Sequence, residues 1–330
     1  MALYRSHGLT LNLRALDCET TETSIGHLLQ DLSWVREEAD DAEPSLCLKV
    51  SYFGRKIEVP ASARELFHAE GFRGFEADDD FYLSDGSTTF HHQTLTAEGE
   101  ISLSPSFFAK PFTLQRNFWA FALVKLLRSL GIFSLHAAGV TRYGRGVLII
   151  GSPGSGKSTL AIGLIRLGWK YLSDDALLLR NNSDKIEALA FRKHFYVNTD
   201  AASKYSEFPL GDEVPDSYGG TKRRLNIEDV YPAQSAQRCV PGVLLFSRII
   251  PDSPSSLVPI DRVVALKNLL MQCSPQLFDQ RTMGEHLSVL GRLVRQAACY
   301  ELRAGLDLCQ DPAIFMRLLA ACEQDERWLD

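Results

Sequence analysis

The sequence predicts an α/β protein in two parts: a smaller, β-rich α+β front domain over residues 1–112 and a larger α/β domain over 113–330 that ends in helical elements. Three observations carry this. The front is built of short alternating apolar–polar runs separated by Gly, Asp and Ser. An apolar run, Val147-Leu148-Ile149-Ile150, feeds straight into a Gly/Ser-rich loop and then a segment of helical spacing. The tail from Asp261 to Cys322 contains three further segments with helical periodicity.

In the front domain, Leu9-Thr10-Leu11-Asn12-Leu13 alternates as a half-buried strand does. Ser45–Val59 reads as two strands around a turn at Phe53-Gly54-Arg55. Phe81-Tyr82-Leu83 and Ile101-Ser102-Leu103 read as further strands, with a turn at Ser84-Asp85-Gly86. The acidic clusters Glu37–Glu43 and Glu76–Asp80 lack ligand spacing and read as solvated loops.

Thr113–Leu130 has helical spacing and stops at Gly131; it is expected to open the second domain. A hairpin follows, Phe133–Thr141 and Val147–Ile150 around Tyr143-Gly144-Arg145-Gly146. Thr159–Leu167 is the next helix, ended by Gly168, and Trp169–Leu172 the next strand. Helices are expected over Arg262–Gln272, Met283–Gln296 and Pro312–Cys322, the proline suiting a first turn, with a short strand at Ala298–Leu302.

Composition narrows the function. The chain has 330 residues, 45% hydrophobic and 23% charged, ordinary for a soluble globular protein and long enough for two cores. A formal net charge of −6 gives no general attraction to nucleic acid or to an anionic membrane, so neither is expected as a partner. Seven cysteines, odd in number and without a Cys-x-x-Cys pair, point to reduced thiols in the cytoplasm rather than to a disulfide framework or zinc site. Residues 1–20 show no apolar run followed by a cleavage site, so no signal peptide is expected. The most apolar stretch, Asn117–Phe133, is short for a bilayer and interrupted by Lys125 and Arg128; it reads as a buried helix.

The loop Gly151-Ser152-Pro153-Gly154-Ser155-Gly156-Lys157-Ser158 matches Gly-x-x-x-x-Gly-Lys-Ser, the Walker A pattern, with Thr159 next in the helix. Glycines let the backbone fold back so that successive N–H groups point into one concavity. The helix beginning near Lys157 adds its positive end. Lys157 is suited to β- and γ-phosphate oxygens, and the Ser158 hydroxyl to Mg²⁺. A nucleoside triphosphate with Mg²⁺ is therefore the expected ligand. Asp174-Asp175 ends the next strand, eighteen residues from Lys157 to Asp175. One carboxylate is suited to the metal, the other to deprotonating an attacking hydroxyl; side by side they need a cation. His136 lies in Leu135-His136-Ala137-Ala138-Gly139, where the strand pattern alone suits a satisfied core residue as well as a site residue.

His136-Ala137-Ala138-Gly139-Val140, Gly146–Ser158 and Gly168 through Asp174-Asp175 together resemble the catalytic domain of HPr kinase/phosphorylase and its shorter relatives, such as lasso-peptide kinases. A weaker resemblance continues through Gly220-Thr221-Lys222-Arg223-Arg224-Leu225 and Cys299–Gly305. The resemblance implies a P-loop domain of HPr-kinase/carboxykinase type over 113–330. It implies ATP-dependent phosphorylation of a hydroxyl, usually serine, on a protein, peptide or small molecule. Carried over by position, Asp175 is the general base, Lys157 the phosphate ligand, Ser158 and Asp174 the metal ligands and His136 an active-site residue. The front domain is then left for substrate recognition, and a homo-oligomer stays open. The family's Glu-Ile-Arg-Gly signature has no counterpart here; Phe191-Arg192-Lys193-His194-Phe195 occupies that region.

Thr221-Lys222-Arg223-Arg224, after Gly219-Gly220, reads as a mobile loop whose three cations would clamp a γ-phosphate or acidic acceptor, or simply be solvated. Two other functions use the same loop. A nucleotide-dependent switch would need neither both aspartates nor His136, and a carboxykinase-like enzyme would need a set of arginines for a carboxylate, which the sequence does not reveal.

Overall fold

The computed structural model describes residues 2–15, 19–37, 43–52, 56–69, 71–199, 205, 207–208, 213–215, 221–273, 280–311 and 313–322. The Phe53-Gly54-Arg55 turn, most of the first acidic cluster, Gly219-Gly220 and Pro312 lie outside them. The chain forms two compact units, Met1–Ile132 with Phe278–Thr282, and Phe133–Leu277 with Met283–Asp330. It is mixed α/β.

The first unit carries β1 (Ala2–Ser6), β2 (Leu9–Ala15), α1 (Glu19–Asp31), β3 (Val35–Glu37), β4 (Leu46–Ser51), β5 (Arg64–Ala69), β6 (Phe72–Ala77), β7 (Asp80–Ser84), β8 (Thr89–Gln93), β9 (Glu98–Ser102) and α2 (Phe112–Arg128). Its strands form one sheet in the order β3-β1-β2-β4-β9-β8-β7-β6-β5. Residues 56–59, expected as a second strand after β4, are not in a strand. The turn expected at Ser84-Asp85-Gly86 is there. Asp85 Oδ1 accepts from the backbone N–H groups of Ser87 and Thr88, and Lys110 pairs with the other carboxylate oxygen. In the Glu76–Asp80 cluster, Glu76 pairs with Arg64 and Asp79 with Arg281, and Asp80 is hydrogen-bonded to His91 at 2.8 Å.

Helix α2 belongs to this first unit, so the compact boundary falls at 132/133 and not at 112. The reason is packing. Phe118 meets Phe72 and Phe107 at ring-centroid distances of 5.5 Å each, and Phe121 stacks on Phe67. Helical periodicity shows that a segment has an apolar face, but not which sheet will cover it.

The second unit contains β10 (Ile132–Leu135), β11 (Ala137–Arg142), β12 (Arg145–Ile150), α3 (Lys157–Arg166), β13 (Lys170–Ser173), β14 (Leu177–Asn182), β15 (Lys185–Ala190), β16 (His194–Asn198), β17 (Glu213–Pro215), β18 (Thr221–Asn226), α4 (Ile227–Val230), β19 (Arg238–Ile249), β20 (Ser256–Pro259), α5 (Arg262–Met271), α6 (Gln280–Gln296), β21 (Ala298–Ala304), α7 (Asp307–Gln310) and α8 (Ala313–Cys322). The main sheet runs β10-β14-β15-β19-β12-β11-β13, with β21 beside β19 and β20 beside β21. β19 runs parallel to both β12 and β21, and the hairpin partners are antiparallel.

The run Val147–Ile150 is continuous in apolar residues because both faces of β12 are covered. Val147 and Ile149 pack with Leu160 and Leu164 of α3 and Phe315 of α8, while Leu148 and Ile150 pack with Leu269 of α5 and Leu290 of α6. The β11–β12 hairpin turns at Tyr143 (φ 53°) and Gly144 (φ 82°), the two positive φ values of a tight hairpin turn. A separate small sheet, β16-β18-β17, packs Phe195, Val197 and Leu225 into the same apolar layer as α3.

Candidate functional site

Strand β12 ends at Ile150, α3 starts at Lys157, and Gly151–Gly156 joins them at the carboxyl edge of the parallel strands, where open α/β sheets place ligands. Gly154 (φ 82°) and Gly156 (φ 87°) hold left-handed conformations that a side chain would strain. Gly151 is needed for close approach. A Cβ there would lie 2.4 Å from Ser155 Oγ and 2.9 Å from Ser247 Oγ. Those hydroxyls are 3.0 Å apart, and Ser247, near the end of β19, donates to the Ile150 carbonyl at 3.2 Å. The loop is thus tied to the neighbouring parallel strand. No side chain caps α3, so the positive end of the helix points into the loop.

The Lys157 Nζ, almost buried, donates to the carbonyls of Gly151 (2.8 Å) and Ser152 (3.2 Å), spanning the loop. Burial lowers its pKa, Asp175 and Asp174 pull it back up, and the positive charge of Lys222 pushes it down again. Ser158, one residue on, donates its hydroxyl to the Asp174 carboxylate, 2.9 Å from both oxygens.

Asp174 and Asp175 follow β13 and part company there. Asp174 is 2% exposed; it also accepts from the Tyr196 backbone N–H at 3.2 Å. Burial pushes its pKa up, and the neighbouring Asp175 pushes it further, against Tyr196, Ser158 and Lys157. Asp175 has φ 65°, a left-handed conformation that costs a non-glycine residue about 1–2 kcal/mol, least for Asp and Asn. That turn sends its carboxylate away from Asp174 and toward His136, whose Nδ1 lies 3.2 Å from Asp175 Oδ1. The other Asp175 oxygen pairs with Arg192.

His136 is not inside a strand arm. It sits at the break between β10 and β11, where the chain leaves β14 as its neighbour for β12 and β13. Burial lowers its pKa; Asp175 opposes this, and Lys157 and Arg192 reinforce it. The ring is therefore neutral near pH 7, and facing a carboxylate it carries its proton on Nδ1 and donates it.

The structure brings Lys157, Ser158, Asp174, Asp175 and His136 near one another. Ser152, Pro153 and Ser155 lie in the loop, and Thr159 in the first turn of α3. Arg192, not expected among the site residues, joins them. Its guanidinium is largely buried on Asp175, its backbone N–H donates to Ser173 Oγ at 2.9 Å, and its backbone carbonyl accepts from the Tyr171 hydroxyl at 3.0 Å. A signal was present. β14 and β15 pair Leu177 with Ala190 and Asn182 with Lys185, so Asp175 and Arg192 are equidistant from the Ser183-Asp184 turn. Reading Asn181-Asn182-Ser183-Asp184 as a hairpin turn would have brought them face to face.

The basic triplet is corrected. Lys222, Arg223 and Arg224 are on β18, a strand between β16 and β17, and not on a mobile loop. Asp174 and Ser158 together offer hard oxygen donors, one of them a buried carboxylate under electrostatic pressure to meet a cation. That donor set fits Mg²⁺, which takes few protein ligands and completes its shell with water and phosphate. No group of three or more His, Cys, Asp or Glu side chains forms a metal cage among the described residues. Cys47, Cys239, Cys273, Cys299 and Cys322 are free thiols. No helix among the described residues is long and apolar enough to cross a membrane.

No protein-family model matches the chain, and no curated protein matches its sequence. Among solved structures it is similar to the Hpr(Ser) kinase/phosphatase from Coxiella burnetii, with a TM-score of 0.25 and 16% identity over 39% of this chain and 71% of that one. At so low a TM-score the likeness decides nothing about the chemistry of this chain.

Proposed function

We propose that the protein is an ATP- and Mg²⁺-dependent kinase that transfers the γ-phosphate to a hydroxyl, serine being the expected acceptor, on a protein, peptide or small molecule. The observation that carries this is the division of labour between two adjacent carboxylates: Asp174 on the Ser158 hydroxyl, and Asp175 turned away to His136 and Arg192. A nucleotide switch needs the first arrangement but not the second.

Gly151–Gly156, Lys157, Ser158 and Thr159 cradle the phosphates. Ser158 and Asp174 would hold Mg²⁺, which supplies charge neutralisation on the phosphate oxygens. Asp175 takes the proton from the acceptor hydroxyl. The freed oxygen bonds to the γ-phosphorus, and the bond from that phosphorus to the β,γ-bridging oxygen breaks, leaving ADP. The neutral imidazole of His136 fixes the Asp175 carboxylate from one side and Arg192 from the other, so the base is held in place before the acceptor arrives.

The test is incubation of the full chain with labelled ATP and Mg²⁺ against a cell lysate and a panel of serine-containing peptides, with mass spectrometry of the products. Phosphorylated serine is expected from the wild type. Asp175→Asn should reduce transfer by about a thousandfold or more while ATP still binds, as loss of a base together with its positioning does. Near-normal transfer by that variant removes Asp175 from the base role.

A further inference from the structure

Side chains alternate along a strand, so Val243, Leu245, Ser247 and Ile249 of β19 share one face. Val243 and Leu245 are buried in the apolar layer with α3. Ser247 ties down the loop through Ser155 and the Ile150 carbonyl. Ile249 ends the strand, and it is 48% exposed. Its side chain leans on the loop. A Cβ at Gly156 would meet Ile249 Cδ1 at 3.6 Å, an ordinary van der Waals contact.

Leu306 belongs to the next strand along. β21 pairs in parallel with β19, placing Ala304 opposite Ile249, and Leu306 follows two residues later, 55% exposed. The backbone around both residues is laced together. The Ile250 N–H donates to the Ala304 carbonyl at 2.9 Å, the Gly305 N–H to Ser255 Oγ at 2.8 Å, and the Ser255 N–H to Asp307 Oδ2 at 2.9 Å. Gly305 has no room for a side chain, because a Cβ there would lie 2.1 Å from the Ser253 carbonyl oxygen. Leu306 is therefore held out by a hydrogen-bonded crossing of two chain segments.

Single exposed apolar residues are common on any surface. What gives these two a use is their place relative to the site. Residues 243–246 of β19 pair with both β12 and β21, so those strands lie on opposite edges of β19. On the far side of β12 come β11 and then β13. Asp174 and Asp175 follow β13, and the loop follows β12. A triphosphate lying on the loop with its terminal phosphate toward Asp175 turns its nucleoside the other way, toward the ends of β19 and β21. There it meets Ile249 and Leu306. The flat faces of a nucleobase are poorly hydrated, and apolar side chains beside a few fixed polar groups are the usual lining of a ligand site.

We propose that Ile249 and Leu306 form an apolar shelf for the base of the nucleotide; this rests on the nucleotide reading above. The shelf covers the face of the ring and adds affinity to the grip on the phosphates. Its backbone is already hydrogen-bonded, so little ordering is left to oppose binding.

The experiment is calorimetric titration of the full chain with ATP and with ribose 5-triphosphate, both in Mg²⁺. The second ligand carries the same sugar and phosphates without the base. Wild type is compared with the double variant Ile249→Ser with Leu306→Ser, whose replacements are neutral and sit at exposed positions; circular dichroism checks the fold. Wild type should bind ATP about tenfold or more tightly than ribose 5-triphosphate, the scale of covering one large apolar side chain. The double variant should lose most of that margin, with its affinity for ribose 5-triphosphate kept. Equal affinity for the two ligands in the wild type, an undiminished margin in the double variant, or parallel loss of both ligands would overturn the shelf. A wild type that binds neither ligand sinks the nucleotide reading and the shelf with it.

Discussion

Two aspartates, one in each unit, differ in a way that separates scaffold from site. Asp85 in the first unit is half-buried, and Asp174 in the second is buried. Burial pushes both pKa values up. At Asp85 the Lys110 ammonium and the N–H groups of Thr88 and Ser87 more than offset that, and the pKa falls below the ordinary carboxylate value. At Asp174 a second carboxylate adds to the burial, and the pKa rises. The first aspartate has been given everything it needs by its own fold. The second has been placed where its charge is a cost unless a cation comes, and buried groups left in that condition cluster at functional sites. Asp85 closes a turn; Asp174, beside Ser158 and the loop, is fit to hold a metal.

The contrast can be broken in several ways. The largest expected effect is at the loop. Lys157→Ala should weaken Mg-ATP binding by about a hundredfold or more in a direct titration, the loss of a charge-assisted phosphate contact in a buried setting. Unchanged affinity would remove the loop from nucleotide binding and leave Asp174 without a purpose.

Next come the two aspartates themselves. Asp85→Asn leaves the Lys110 ammonium without its counter-charge and should cost about 1–3 kcal/mol. That corresponds to a fall in Tm of several degrees, at about 2–4 °C per kcal/mol in a chain of this size. Asp174→Asn should have the opposite sign, raising Tm by a few degrees near pH 7 in the nucleotide-free protein while abolishing Mg²⁺-dependent transfer. The sign follows from linkage. The folded-state pKa of Asp174 is raised, so the wild type loses stability as pH rises from the unfolded value through the folded one. The advantage of Asp174→Asn should therefore shrink as pH is lowered. Thermal denaturation of both variants at several pH values checks this, and two shifts of the same sign would erase the distinction.

The smallest effect concerns His136. Its folded-state pKa is lowered, so the folded form resists protonation and stability falls as pH drops below about 6.5, the ordinary value for histidine. His136→Ala should flatten that acid limb, slow transfer and leave the fold intact by circular dichroism. A variant that fails to fold would return His136 to the role of a core residue.

Much of the second unit was legible in its order of residues. The run into Gly151, the helix after Lys157, the stop at Gly168 and the strand before Asp174-Asp175 are local patterns, set by φ values that glycine tolerates best and by apolar periods of two and 3.6 residues. Other features were not local. Helix α2 joined the first unit because Phe118 and Phe121 found Phe72, Phe107 and Phe67, a choice of partners that periodicity does not encode. The expected strand after β4 did not form, and β-propensity without a pairing partner does not make one.

The sequence by itself determined that a strand, a glycine loop with Lys157 and Ser158, and a pair of aspartates follow one another at set intervals, because each is written in neighbouring residues. Only the tertiary structure decided what those charges face. It turned Asp174 to Ser158 and Asp175 to His136 and Arg192, and it set Lys222, Arg223 and Arg224 in a paired strand. Burial and charge pairing depend on what folds back from far along the chain, and a hairpin register or a strand's alternation then decides which side chains share a face.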